Sequence, residues 1–168
     1  SCGSQTAGII FGGSPAPGYT TATETYDGST WSPGGVLTTA RGYEGGGGTQ
    51  TAALYIAAAP VTCEEYNGTA WAAGGVTNSS VSQGVVTGIL TAALSFGGGP
   101  APANKTESYD GTSWTEEGQM GTARYALAAA SGTATSAMGA GGYIAGPYTN
   151  VTEEWSGAAT AAQTITTS

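Results

Sequence analysis

The chain of 168 residues contains no histidine and only three basic residues, Arg41, Lys105 and Arg124. Without imidazole, histidine-based catalytic triads and most zinc sites are excluded. Three scattered cations do not make the lysine and arginine cluster that releases counterions from a phosphate backbone. Neither nucleic acid nor an anionic membrane surface is therefore an expected partner. Charge of any kind is sparse, at 8% of residues, and the net value of −8 serves mainly solubility. No run of about 18 apolar residues occurs, so membrane insertion through a helix is not expected. No basic-then-apolar signal segment is visible, and the first residue is Ser1 rather than Met, which fits a processed start or a piece of something longer. Cysteine is scarce too: Cys2 and Cys63 could form one disulfide in an oxidising compartment or stand as two isolated buried thiols.

What is abundant is glycine, 30 residues of it, beside many threonines and alanines. Such a composition often marks disorder, but disordered chains are poor in aromatics. Here four tryptophans and nine tyrosines recur at regular places, so the chain has a core to bury. Thr23-Glu24-Thr25-Tyr26-Asp27-Gly28-Ser29-Thr30-Trp31 returns as Cys63-Glu64-Glu65-Tyr66-Asn67-Gly68-Thr69-Ala70-Trp71 and as Thr106-Glu107-Ser108-Tyr109-Asp110-Gly111-Thr112-Ser113-Trp114. A degenerate fourth copy reads Thr152-Glu153-Glu154-Trp155-Ser156-Gly157. The aromatic positions 26, 66, 109 and 155 stand 40, 43 and 46 residues apart, the length of a propeller blade. Asp-Gly or Asn-Gly predicts a tight type I′ hairpin, with the tyrosine and tryptophan on its two arms filling the space between sheets. Upstream of each hairpin lies a short apolar strand ending in small residues: Ile9 to Gly13, Ala53 to Ala57, Ala93 to Gly98, Met138 to Gly142. Further upstream, Thr39-Ala40-Arg41 and Thr122-Ala123-Arg124 open Gly/Ala-rich stretches whose strands, 44–48 and 126–133, suit a crowded axis.

An arginine, a Gly-Gly, a tyrosine and a tryptophan in that order resemble the kelch repeat over nearly the whole chain. The wording of the repeats is also similar to Gly/Thr/Ala-rich kelch-like proteins of phages and marine microbes. The resemblance implies an all-β, kelch-like β-propeller of about four blades, each of four antiparallel strands, forming a single domain over 1–168. The repeats run approximately 1–34, 35–74, 75–117 and 118–160. Ser1 to Gly8 align with Gly45 to Ala52, the middle of a repeat, so the first blade is expected to lack its small-residue strand. The tail 161–168 is expected to complete that blade and close the ring. An open array, closed by a second chain or cut from a longer protein, is the competing reading. Blade two has Ala57-Ala58 for Gly-Gly, blade three lacks the arginine, and blade four has Trp155 for tyrosine.

Kelch-like folds also include galactose-oxidase-type copper enzymes, which need histidine ligands that this chain lacks; no metal and no cofactor is expected. A carboxylate pair of the glycoside hydrolase kind stays only as a long shot, because the repeat accounts for Glu24, Glu64, Glu107 and Glu153, and the turns account for Asp27 and Asp110. The glutamates are expected to hold backbone N–H groups near the glycines rather than to ring the axis. Arg41 and Arg124 could meet a ligand carboxylate, or pair with those glutamates. All four asparagines, Asn67, Asn78, Asn104 and Asn150, sit in N-x-Ser/Thr sequons and would be glycan acceptors in a secreted eukaryotic protein. The variable links 14–20, 99–105 and 146–150 emerge on one face, and Tyr19, Tyr148 and Lys105 there are candidate ligand contacts. The expected function is thus a non-catalytic binding module, extracellular or on a virion surface as in a phage fibre or decoration protein, engaging a glycan or a protein ligand. The alternative is a purely structural repeat that self-associates into a fibre or coat.

Overall fold

The computed structural model describes residues 1–15, 17–43, 45–58, 61–99, 103–144, 146, 148–157 and 166–167. All regular structure among them is β, arranged as four antiparallel sheets of four strands. The first sheet holds β1 (Cys2–Ser4), β2 (Ala7–Phe11), β3 (Thr23–Tyr26) and β4 (Trp31–Pro33). The second holds β5 (Gly46–Thr49), β6 (Ala52–Ala58), β7 (Val61–Tyr66) and β8 (Trp71–Ala73). The third holds β9 (Val85–Ile89), β10 (Ala92–Phe96), β11 (Thr106–Tyr109) and β12 (Trp114–Glu116). The fourth holds β13 (Ala128–Thr133), β14 (Ser136–Ala140), β15 (Thr152–Trp155) and β16 (Thr166–Thr167). Each sequence repeat is one meander, the fourth with its last strand drawn from the tail.

Two sequence expectations need correction. The tail does not join the first sheet: Thr166 and Thr167 pair with Glu154 and Glu153 and supply the outer strand of the fourth. The first sheet has no vacancy for it, because Cys2–Ser4 already pairs with Ala7–Ile9 as the small-residue strand. The rest of the predicted tail strand, 161–165, lies outside the described residues. The hairpin turns are not type I′, which requires positive φ at both central residues. Tyr26 pairs with Trp31, so the loop has four residues, and in it only Gly28 has a positive φ, of 97°. Asp27 shapes the loop instead: its Oδ1 accepts the amides of Ser29 and Thr30, each at 2.8 Å. Asn67 and Asp110 repeat the arrangement. These amides hold the exposed carboxyls of Asp27 and Asp110 below the usual aspartate range.

The core lies between sheets, and each interface has the same polarity. One sheet presents its tyrosine and tryptophan, and the preceding sheet receives them on the other side. Tyr66 and Trp71 pack on Ile9 and Phe11, with the Phe11 and Trp71 rings 4.8 Å apart and edge-on. The Trp71 indole N–H donates to Thr23 Oγ1 at 2.9 Å. Tyr109 and Trp114 pack on Leu54, Ile56 and Cys63, and Trp155 packs on Leu94 and Phe96. The period-two alternation of these strands therefore separates two apolar faces rather than an inside from a solvated outside.

Inner strands adjoin in chain order, β1 on β5, β5 on β9 and β9 on β13; among the described residues, no packing of comparable extent joins β13 to β1. Cys2, Gly47, Thr87 and Gly132, one from each inner strand, border a common open cleft of about 380 Å³. Ahead of these strands in the chain, the amide of Gln83 donates to the Tyr43 carbonyl and that of Ala126 to the Gln83 carbonyl, both at 2.8 Å. All three residues hold positive φ, 65°, 58° and 53°. A left-handed residue two or three positions before each of β5, β9 and β13 is thus part of the repeat.

Small residues closing the second strand of each repeat are explained by close approach. A Cβ on Gly12 would lie 2.8 Å from the Arg41 carbonyl oxygen, and one on Gly97 would lie 2.9 Å from that of Arg124.

Candidate functional site

Meander topology places two connections at one end of every sheet: the link after the second strand, and the linker from the fourth strand into the next inner strand. Exposed tyrosines gather there. In the first link, Thr20 forms an isolated bridge with Arg41 of the following linker, and this backbone contact sets Tyr19 against Tyr43. Their rings stand edge-on, 6.3 Å apart, and are 56% and 63% exposed. In the fourth repeat, Tyr143 bridges both Tyr125 and Tyr148, with ring separations of 5.1 and 5.4 Å. Tyr148 is 83% exposed. Both groups are held by the same scaffold: the Thr20 amide donates to Gly13 and the Thr149 amide to Gly142, each the second glycine of its pair.

Of the sequence candidates, Tyr19 and Tyr148 therefore lie at the same end of the sheets, each in an aromatic group. Tyr43, Tyr125 and Tyr143 complete those groups and were not singled out in the sequence. Their signal was present, since Tyr43 and Tyr125 closely follow the repeated arginine and Tyr143 follows the Gly-Gly. Ala16, Pro100, Ala101, Pro102 and Pro147 of the links lie outside the described residues.

The cations are committed elsewhere. Arg124 is fully buried; its Nη2 donates to Glu153 Oε1 at 2.9 Å, and its Nη1 donates to the carbonyls of Val151 and Gly141 at 2.6 and 3.2 Å. Arg41 is buried with its Nε 3.6 Å from Glu64 Oε1. Neither guanidinium is presented to solvent, so the pairing with repeat glutamates is what the geometry shows. Lys105 pairs with Glu116 and is partly exposed.

The glutamates do hold backbone N–H groups. Glu64 accepts the Thr38 amide, Glu107 that of Asn78, and Glu153 those of Gly121 and Thr122. In the third repeat, where the arginine is missing, the Asn78 side chain donates to Glu107 at 3.1 Å and to the Trp114 carbonyl at 2.9 Å. Glu24 differs: it is exposed. Among the described residues, no group of three or more Asp, Glu, Cys or His side chains is arranged to hold a metal ion.

Both cysteines are free, so of the two readings of the pair the isolated thiols are what the structure has, Cys63 buried and Cys2 half-buried. Cys63 is buried between the second and third sheets, whereas Cys2 sits on β1 beside the interface of the first and second. Burial pushes the Cys2 thiol up to about 11 and, with help from the Glu65 charge, the Cys63 thiol up to about 12. Of the sequons, Asn67 and Asn150 are exposed. The amides of Asn78 and Asn104 are engaged, the latter donating to Gln119 Oε1 at 2.9 Å. No helix among the described residues is long and apolar enough to cross a membrane. Comparison with protein-family models and with curated protein sequences returns no match for this chain.

Proposed function

We propose that the four sheets are blades of a kelch-like β-propeller, and that the chain is a non-catalytic binding module. Its setting is extracellular or on a virion surface, of the phage fibre or decoration type. The observation that carries this reading is the pair of tyrosine groups at one end of the sheets, the exposed Tyr19 with Tyr43 and the exposed Tyr148 against the half-buried Tyr143 and Tyr125. Tyrosine offers broad apolar area and a polar tip at little entropic cost. Edge-on pairs leave ring faces open for the C–H face of a sugar or an apolar side chain of a protein ligand. The carboxylates support no catalytic assignment: Glu64, Glu107 and Glu153 are buried and spent on backbone amides.

Screening against immobilised glycans, followed by titration of Tyr19→Ala and Tyr148→Ala, tests the reading. Removal of an aromatic anchor is expected to weaken binding about 30-fold, corresponding to about 2 kcal/mol. Unchanged binding in both variants would sink the tyrosine site. The alternative, a structural repeat that self-associates, is favoured by a separate observation: Trp31 is 48% exposed although its counterparts Trp71 and Trp114 are each 6% exposed.

A further inference from the structure

Three interfaces within the chain follow one rule, and two faces obey it without a partner. On the first sheet the presenting face is uncovered. Ile10 and Trp31 are 39% and 48% exposed, and Tyr26 lies against Trp31 with ring centroids 5.0 Å apart, as in the buried pairs of the next two sheets. On the fourth sheet the receiving face is uncovered. Met138, at the register position of the buried Ile9 and Leu94, is 36% exposed, and Ser136, Met138, Glu154 and Ser156 border a cleft of about 270 Å³. These faces are the two halves of the interface that the chain already makes three times.

We propose that the presenting face of the first sheet docks into the receiving face of the fourth sheet of a second copy of this chain, head to tail. The chemistry at the two faces matches position by position. Trp71 donates its indole N–H to Thr23, and Thr152 occupies the Thr23 position on the fourth sheet. Tyr109 donates its hydroxyl to Glu65, and Glu154 occupies the Glu65 position. The third sheet, by contrast, has Ser108 at that position, and it receives Trp155, which has no hydroxyl to donate. The first sheet carries Thr25 there and receives Tyr66, so a polar acceptor stands at this position where a phenol arrives, and Glu154 has Tyr26 of the second copy as its counterpart. The contact is heterologous, so copies close into a ring where the angle permits and otherwise extend as a filament. This inference rests on the sheet faces and is independent of the tyrosine loops.

Light scattering on the 168-residue chain across a concentration series reads the association directly, with Trp31→Glu and Met138→Lys as the two variants. Both sites are exposed, and circular dichroism confirms that each variant keeps its β content. The parent is expected to show a multiple of 16.4 kDa. Each variant alone is expected to lose association by about 30-fold or more. An equimolar mixture restores one intact interface, because Trp31→Glu keeps the receiving face and Met138→Lys the presenting face, and it is expected to give a one-to-one complex. A parent that is monomeric at high micromolar concentration, with Trp31 shielded from a soluble quencher, would instead mean closure within one chain. A monomer with Trp31 open to quencher would mean that neither copy nor chain fills the face. Assembly that survives either variant, or a mixture that does not pair, would also overturn the proposal.

Discussion

Replacing Arg124 with methionine tests the idea that the arginine ties together strands and linker of the fourth repeat rather than serving a ligand. The guanidinium is fully buried, bonds Glu153 at 2.9 Å, and donates to two carbonyls. Removing it leaves the Glu153 carboxylate buried with only the Gly121 and Thr122 amides to hold its charge. Loss of one member of a buried pair costs about 3–5 kcal/mol. For a chain of this size that lowers the thermal midpoint by about 10 °C. A second variant, Arg124→Met with Glu153→Met, separates charge from scaffold. If the pair only satisfied itself, apolar replacement of both would be near neutral. Here the double variant also strips two backbone amides of their acceptor, at about 1–2 kcal/mol each. It should therefore recover part of the loss yet remain about 2 kcal/mol below the parent. Urea unfolding followed by tryptophan fluorescence and far-ultraviolet dichroism measures all three proteins. Arg124→Met within about 1 kcal/mol of the parent, or a double variant equal to it, would refute the reasoning.

Gly97→Ala is expected to destabilise by about 1–3 kcal/mol in the same assay, since a Cβ at φ 69° meets the Arg124 carbonyl at 2.9 Å and Leu127 at 2.5 Å. Intact mass without reductant should show two free thiols, and alkylation of the native protein should stay slow at neutral pH. Because both thiols are raised when folded, the stability they contribute is full below about pH 9 and is lost as the pH climbs toward 11 and 12; rapid labelling at pH 8 would contradict the burial. Asp27 and Asp110 carry the opposite sign: their carboxyls are lowered, so the turn is strengthened above the ordinary aspartate range and loosens as acid drives the pH through the folded value. The amide resonances of Ser29, Thr30, Thr112 and Ser113 should move with that titration.

The repeat was legible in the sequence because its signals are local. A glutamate two residues before an aromatic and a small-residue pair recur in every unit, an aromatic pair astride a turn recurs in three of the four, and each maps to one strand or loop. The role of the glutamates followed from the same locality. The state of the cysteines stayed open in the sequence because nothing in the spacing of Cys2 and Cys63 tells which sheet interface each thiol enters. The tail was misassigned because the tripeptide Cys2-Gly3-Ser4 gives no hydrophobic pattern; only its pairing with Ala7–Ile9 reveals a strand. The turn type was misread because Asp-Gly suits several loops, and the side-chain bonds of Asp27 decide among them. Tyr43 escaped notice because its importance lies in the bridge between Thr20 and Arg41, a contact across 21 residues.

The one-way polarity of the interfaces also bears on how the chain is made. From the second sheet on, each sheet brings the aromatic side chains that cover the sheet before it, so translation delivers the cover after the surface it hides. A nascent chain therefore exposes one uncovered receiving face at a time, always on its newest finished sheet, and hides it about 40 residues later. Folding that advances in this order leaves open at any moment only the presenting face of the first sheet and one receiving face, which limits the chances for neighbouring polypeptides on a polysome to exchange repeats.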